Sequence, residues 1–543
     1  MGQVAAVEPA AHANGAAAPP SERLWKPSHN KWAVALTVTM ATFMEILDTS
    51  IANVALPNIA GGLSAGVDES TWVLTSYLVS NAIVLPVSGW VIGWTGRKRF
   101  YMACVAIFTI SSFLCGLAPT LGTLVLLRVI QGAGGGGLQP SEQSILADTF
   151  EPAERAMAFS IYGMAVVLAP AIGPTLGGYI TDHFNWRWIF FINVPVGILS
   201  LLFSYRVVED PPYLKEEMKR FASAGIDYVG LGLVAVGLGF LQVMLDKGQR
   251  EDWFQSPFII TATVISAVAL IAFVIWELGQ EQPVADLRLF RNRTYVASNI
   301  AMFVVGIALY GTTVLLPQYV ELLLGYSAQQ SGMVLTPGGF TIMILMPIVG
   351  LLMARVDARM LIAFGFIVMA LALYHMTSLN LQTDYRTAMM YRVYQSAGLA
   401  FLFMPISMMA YVGLPQEKNN MVAGMVNLAR NIGGSVGISM VETVIGRRSQ
   451  FHQDVLSTHI SAYEPAARSA TRDLGVLLFH SGIGRPAMLG QGVGRIYGSV
   501  LKQATALAFV DAVWLTAVLC ACMVPLVFLM KKNDLFAMPV AGH

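Results

Sequence analysis

The chain has 543 residues, of which 55% are hydrophobic and only 12% are Asp, Glu, Lys or Arg. A soluble domain carries roughly 25% charged residues, so lipid rather than water must solvate much of this surface. The formal net charge of +1 excludes nucleic acid as a partner, and Cys104, Cys115, Cys520 and Cys522 sit in apolar stretches with neither disulfide-framework nor metal-ligand spacing.

Residues 1–30 are Ala-, Pro- and polar-rich and read as a disordered cytoplasmic tail. No short apolar core behind positive charge precedes Lys31, so a cleaved signal peptide is not expected. A helix crosses a bilayer with about 20 apolar residues. The pattern predicts fourteen such spans, near 32–56, 71–93, 100–119, 121–147, 157–182, 189–207, 226–245, 256–278, 295–317, 329–353, 360–379, 386–411, 420–444 and 505–530.

Span one reads "MATFMEILDTSIANVALPNIAGGL" and places Glu45 and Asp48 three residues apart, on one helix face near mid-span. Intramembrane carboxylates are costly and mark proton or ion pathways. Two neighbouring carboxylates at low dielectric resist simultaneous ionisation, which suits a proton-coupling site. Span two ends in "GWVIGWTGRKR", where Gly89 opens the stretch and Arg97, Lys98 and Arg99 form a tight basic turn. Span four carries "LLRVIQGAGGGGLQP". Its Arg128 needs a partner or a wet cavity at that depth, and Gly134–Gly137 permit close approach of either a neighbouring helix or a ligand. Gln131 and, after the glycines, Glu142 are further cavity candidates, Glu142 either facing Asp48 or Arg128 or lying near the helix end. Span five, "GMAVVLAPAIGPTLGG", combines a small-residue face (Gly173, Gly177) with bending prolines (Pro170, Pro174).

The second half copies the first. "VLTSYLVSNAIVLPVSG" (73–89) aligns with "VLTPGGFTIMILMPIVG" (334–350) at an offset of 261 residues. "RVIQGAGGGGLQP" matches "RVYQSAGLAFLFMP" at 264, and "GMAVVLAPAIGPTLGG" matches "GMVNLARNIGGSVGIS" at 261. Two six-helix bundles related by a parallel repeat, with two helices inserted between them, follow from this arithmetic, with a substrate site expected at the interface of the halves. The expected division is a six-helix bundle over 31–208, the inserted pair over 209–285, a second bundle over 286–532 and a cytoplasmic tail over 533–543. Asn427 and Arg430 stand where the first copy has Val166 and Ala169, an asymmetry that makes them cavity or gating candidates. The stretch 445–504 is too polar to span and is expected to be an extracytoplasmic loop with a helical lead-in near 493–509, either contacting an adaptor or capping the bundle. His452, His459 and His480 within it have no ligand-like spacing.

Short-loop basic residues set the orientation. Arg23, Lys26 and Lys31 precede span one; Arg97, Lys98 and Arg99 follow span two; Lys215, Lys219 and Arg220 follow span six; Arg288, Arg291 and Arg293 follow span eight; Lys531 and Lys532 follow span fourteen. Fourteen crossings put all of these on one side, the cytoplasm, with both termini.

These stretches resemble known motifs. The 89–99 turn is similar to the loop motif of the major facilitator superfamily, except that Gly93 stands where that motif carries an acidic residue, which leaves the usual charge pairing without its carboxylate. "LLRVIQGAGGGGLQP" resembles the superfamily's buried-arginine motif, and the span-five stretch resembles the motif of its antiporter branch. Together with "GGYITDHFNWRWIFFINVPVG" (177–197), "LQVMLDKGQREDWF" (241–254) and "DLRLF" (286–290), they resemble the fourteen-span drug:proton antiporters, and among them the EmrB-type multidrug exporters, over about residues 30–530.

The resemblance implies an all-α integral membrane protein of the inner membrane that exports hydrophobic or amphipathic drugs by alternating access. Protons are the coupling ion, and no other cofactor, metal or catalytic residue is expected. It matches Asp48 to the family's span-one aspartate and Arg128 to its span-four arginine. It also implies an EmrA-like periplasmic adaptor and a TolC-like outer-membrane channel. An exporter of one specific metabolite or siderophore shares the fold and stays open as the alternative. The 28 Met residues suit promiscuous apolar binding, and no phosphate-cradling G-x-x-x-x-G-K-[ST] is present for an ATP-driven pump.

Overall fold

The computed structural model describes residues 27–212, 214–215, 218–219, 227–458, 460, 465–480 and 485–532. Most of both expected tails, with Arg23 and Lys26, lies outside these residues, as do Arg220 and His459.

Among the described residues the chain is helical and contains no strand. The long helices are α1 (Lys31–Gly62), α2 (Trp72–Thr95), α3 (Arg97–Leu117), α4 (Leu121–Thr149), α5 (Pro152–His183), α6 (Trp188–Val207), α7 (Tyr228–Lys247) and α8 (Pro257–Gly279). They continue as α9 (Arg293–Leu322), α10 (Ala328–Leu352), α11 (Ala358–Met376), α12 (Tyr385–Met409), α13 (Asn419–Thr458) and α14 (Arg485–Val527). Side-chain caps start several of them: Asn30 accepts from the Trp32 amide, Asp384 from Thr387, and Ser327 forms a capping box with Gln330.

Twelve of these helices, among the described residues, are long and apolar enough to cross a membrane. The expectation of fourteen is corrected to that extent, because α12 and α13 have spanning length without the composition. The reason is their position. Both turn much of their surface to other helices, burying Arg392 and Gln395 on α12 and Asn427 and Arg430 on α13. A helix screened from lipid by its neighbours need not be apolar on every face.

The same neighbour relations recur in the two sets of six. The first helix of each packs on the fifth (α1 on α5, α9 on α13), and the second on the fourth (α2 on α4, α10 on α12). The third packs on the fourth and sixth in both. Between the sets, the second helix of one lies along the fifth of the other, α2 on α13 and α10 on α5. Small residues permit these crossings. A Cβ on Gly89 would stand 2.9 Å from the Cα of Met421, and one on Gly424 would stand 2.8 Å from the Leu85 carbonyl. At the matching crossing, a Cβ on Gly350 would meet the Ser160 hydroxyl and one on Gly163 the Met346 sulfur. The inserted α7 and α8 pack on each other, and Val234 and Leu238 of α7 join Leu85 of α2 and Leu428 of α13 in one apolar cluster.

The glycine run in α4 is a packing device. The helix divides at Gly136–Gly137 into Leu121–Gly135 and Leu138–Thr149. A Cβ on Gly134 would press on the backbone of α3 at Phe108, and one on Gly136 on the Asn81 carbonyl of α2.

Where the structure describes it, the stretch 445–504 is almost entirely helical rather than a loop. α13 continues to Thr458, a further helix covers Pro465–His480, and α14 begins at Arg485, well before the predicted lead-in. Polar residues from Arg447 onward mark the end of the apolar segment rather than the end of the helix. α13 and α14 pack on each other, and Asp511 of α14 takes Arg448 at 2.5 Å and His452 at 2.8 Å from α13.

Candidate functional site: two carboxylate networks on α1

Asp48 and Glu45, both buried, share a face of α1 but belong to different networks. Asp48 lies inside the first bundle. Its Oδ2 accepts from Arg128 Nη1 at 2.5 Å, and its Oδ1 accepts from Asn193 Nδ2 at 2.7 Å and Gln131 Nε2 at 3.1 Å. Arg128 also donates to the Val73 carbonyl and to Gln131 Oε1, and its guanidinium lies 4.2 Å from the Tyr77 ring centroid. A carboxylate with three donors and a stacked guanidinium is compensated in all but solvent. Gln131, expected in the substrate cavity, is held in this pair instead.

Glu45 faces the interface between the bundles. Its Oε1 accepts from Tyr77 at 2.9 Å and Asn81 at 3.1 Å, and its Oε2 accepts from Gln139 Nε2 at 2.7 Å. The Gln139 carbonyl then accepts a short bond from Arg430 Nη2 of α13. Arg430 Nη1 donates to Tyr162 at 3.2 Å, Tyr162 to Asn427 at 3.1 Å, and Asn427 to Gln143 at 3.0 Å. Glu45 and Arg430 are therefore opposite charges in opposite bundles, joined through one amide. Asn427 and Arg430, singled out as an asymmetry between copies, converge here.

Glu142 does not face Asp48 or Arg128. Its carboxylate accepts from Thr39 of α1 at 2.5 Å. Glu142 stands fourteen residues after Arg128, about 21 Å further along the helix, so it lies toward the helix end. Arg97 has the charge pairing that the 89–99 turn lacks within itself: a buried ion pair with Asp148, at the end of α4, at 2.7 Å. Lys98 donates its amide to Asp210 and its ammonium to the Tyr205 carbonyl. The small face of α5 packs within its own bundle. A Cβ on Gly177 would stand 3.2 Å from Ile51 Cγ2, and Gly173 lies against Ser50. The backbone at Pro174 lies against Gly332 of α10.

Sequence reasoning missed Asn193, Gln139, Tyr77, Tyr162 and Asp148. Uncharged amides and phenols carry no cost signal within a span, and only the side chain they serve reveals them. Asp148 closes a span with no motif around it.

Polar links between the bundles gather toward one end. Beside Gln139–Arg430 and Gln143–Asn427 stand Asp148–Asn419, at 3.0 Å, and Ser144–Asn420. Toward the other end Thr175 meets Thr336 at 3.4 Å. The protein is thus closed at the end where α4 finishes and α13 begins. Among the described residues no group of three or more His, Cys, Asp or Glu is placed to hold a metal ion.

Residues 38–438 match the profile of the Major Facilitator Superfamily. The chain is 36% identical to the probable multidrug resistance protein EmrY of Escherichia coli K12, covering 81% of this chain and 85% of that one. It is 34% identical to the multidrug export protein EmrB of the same strain, covering 91% and 94%. The fold is also that of the proton:xylose symporter XylE, with a TM-score of 0.57 at 12% identity over 93% of this chain and 97% of that one.

Proposed function

The chain belongs to the major facilitator superfamily, and we propose that within it the protein is a proton-coupled antiporter that exports hydrophobic or amphipathic drugs across the inner membrane by alternating access. Its likeness to multidrug exporters over most of its length supports the substrate class. One observation carries the coupling: two buried carboxylates lie one turn apart on α1, Asp48 closed in an ion pair with Arg128 and Glu45 tied through Gln139 to Arg430 of the other bundle.

In this reading the basic turns, with both termini, face the cytoplasm, so the closed end is cytoplasmic and substrate leaves by the other. A proton from outside neutralises Asp48 and frees Arg128 from its strongest partner. Neutralising Glu45 weakens the acceptor that orients Gln139 toward Arg430. The cytoplasmic links then part, and the bundles rock to admit the next substrate. Loss of the protons inward restores both networks and closes that end again. Each proton entering down a potential of 100 mV supplies about 2.3 kcal/mol.

The bundles of this cycle are residues 31–208 and 286–532, with 209–285 inserted between them. Resemblance to EmrB-type pumps supports an EmrA-like periplasmic adaptor and a TolC-like outer-membrane channel, with protons as the coupling ion and no further cofactor.

Dye efflux from proteoliposomes under an imposed pH gradient, comparing the native protein with Asp48→Asn, tests the reading. Native efflux should follow the gradient, and the variant should lose that dependence. A fully coupled variant would move the site elsewhere, and no export of any lipophilic dye would favour a specific metabolite.

A further inference from the structure

A cavity of about 620 Å³ opens where the short turn Leu287–Arg291, the start of α9 and the end of α14 meet. Four cationic side chains line it, Arg288, Arg291, Arg293 and Lys531, together with one carboxylate, Asp286. That carboxylate is already engaged, because Lys418 pairs with it at 3.0 Å and the Arg288 amide donates to its other oxygen. Among the described residues the Arg288 guanidinium donates only to the Leu278 and Gln280 carbonyls, which orient it without neutralising it. Among the described residues no carboxylate pairs with Arg291, Arg293 or Lys531, all of which are exposed.

Four cations around one concavity, without a carboxylate of their own among the described residues, focus a positive potential there that attracts an anion. The place also selects the kind of anion. The cavity lies at the ends of membrane-spanning helices, Leu289 and Leu414 line it, and exposed Phe290 (38%) and Leu529 (65%) stand one and two residues from its cations in the chain, so apolar surface accompanies the basic centre. Arginine forks match phosphate oxygens two at a time. A basic pocket between helix ends, level with the lipid headgroups, has the form of an anionic-lipid site.

We propose that this cavity binds the phosphate of an anionic phospholipid headgroup, with the acyl chains against this apolar surface. The proposal goes beyond drug export and depends only on the helix ends lying at a membrane surface. The bound lipid bridges the inserted pair's exit, the first helix and the last helix of the second bundle, and so ties that bundle to the composition of the surrounding leaflet.

Native mass spectrometry of the full-length protein in detergent tests this, with dioleoylphosphatidylglycerol and dioleoylphosphatidylcholine titrated separately and inorganic phosphate added as competitor. The native protein should retain phosphatidylglycerol over phosphatidylcholine by at least about tenfold. Arg291→Gln with Arg293→Gln should lower phosphatidylglycerol retention roughly 30-fold, and Lys531→Gln alone about fivefold, with phosphatidylcholine unchanged. Gel filtration establishes that each variant is folded, and the single exposed Lys531→Gln decides alone if the double variant aggregates. Equal retention of the two lipids, or variants that bind like the native protein, would overturn the site. Displacement of the lipid by an equal concentration of inorganic phosphate would overturn the lipid as its occupant. Transport is not measured, so failure here leaves the drug-export reading untouched, and the reverse also holds.

Discussion

Asp48 and Thr312 hold the same place in the two bundles. Each lies on the first helix of its set and receives an arginine and the glutamine three residues after it: Arg128 and Gln131 in one, Arg392 and Gln395 in the other. In both, the arginine also donates to its own glutamine, at 2.9 Å and 3.0 Å. The triangle is conserved between the copies, but only one corner keeps its charge.

That difference predicts unequal consequences for removing the two arginines. Arg128→Met strands a buried carboxylate, which costs about 3–5 kcal/mol. Arg392→Met strands only hydroxyls and an amide that still bond each other, as Gln395 does Thr312, and should cost less than about 2 kcal/mol. Thermal unfolding of both variants in detergent checks this. Equal losses would mean that the second triangle is as charge-dependent as the first.

Removing Arg430 should loosen the closed end more than it weakens its own bundle, since its bonds to Gln139 and Tyr162 cross to the other bundle while Phe403 of its own meets only the guanidinium face. Buried bonds to a charged group contribute about 1.5–3 kcal/mol, so Arg430→Met should shift the balance away from the closed state by roughly 10- to 150-fold. Distances between spin labels on α4 and α13 near Asp148 and Asn419 would report it. An unchanged distance distribution would remove Arg430 from the gate.

Most of the architecture was legible in sequence because apolar length and the repeat are direct physical signals. The copies of Arg128 and Gln131 at Arg392 and Gln395 fold into matching triangles, and the pairing of Glu45 with Asp48 on one face was plain from their spacing. Less was visible where the signal is a neighbour rather than a residue type. Glu142 reads equally as a cavity acid or as a residue near the helix end, and only its contact with Thr39, well along the helix from Arg128, decides for the second. The polar run from Arg447 looked like a loop because hydropathy reports the membrane's edge, whereas α13 continues past it against α14.

The Arg97–Asp148 pair, with both side chains almost fully buried, should anchor the basic turn. Asp148→Asn leaves the guanidinium without its counter-charge and should lower stability by about 3–5 kcal/mol. Exchanging the two, Arg97→Asp with Asp148→Arg, should recover part of that loss. Unfolding midpoints of the single and exchanged variants measure the coupling, and an exchange no better than the single variant would show that the site responds to shape rather than charge.

Two of the cross-bundle glycines, Gly89 and Gly350, supply the sharpest contrast. A Cβ on Gly89 would stand 2.9 Å from the backbone of Met421, which cannot move without displacing α13. On Gly350 it would stand 2.6 Å from the Ser160 hydroxyl, a side-chain atom bonded to the Ala156 and Met346 carbonyls rather than a backbone atom. Gly89→Ala should therefore hold α2 and α13 apart and depress efflux at least about tenfold, a barrier of roughly 1.4 kcal/mol. Gly350→Ala should be the milder change, because Ser160 can exchange its bond to the Met346 carbonyl without moving a helix backbone. Dye efflux with both variants at matched expression settles it. If Gly350→Ala were the more damaging, the closed packing of α2 on α13 would not be the crossing that the transport cycle must pass through.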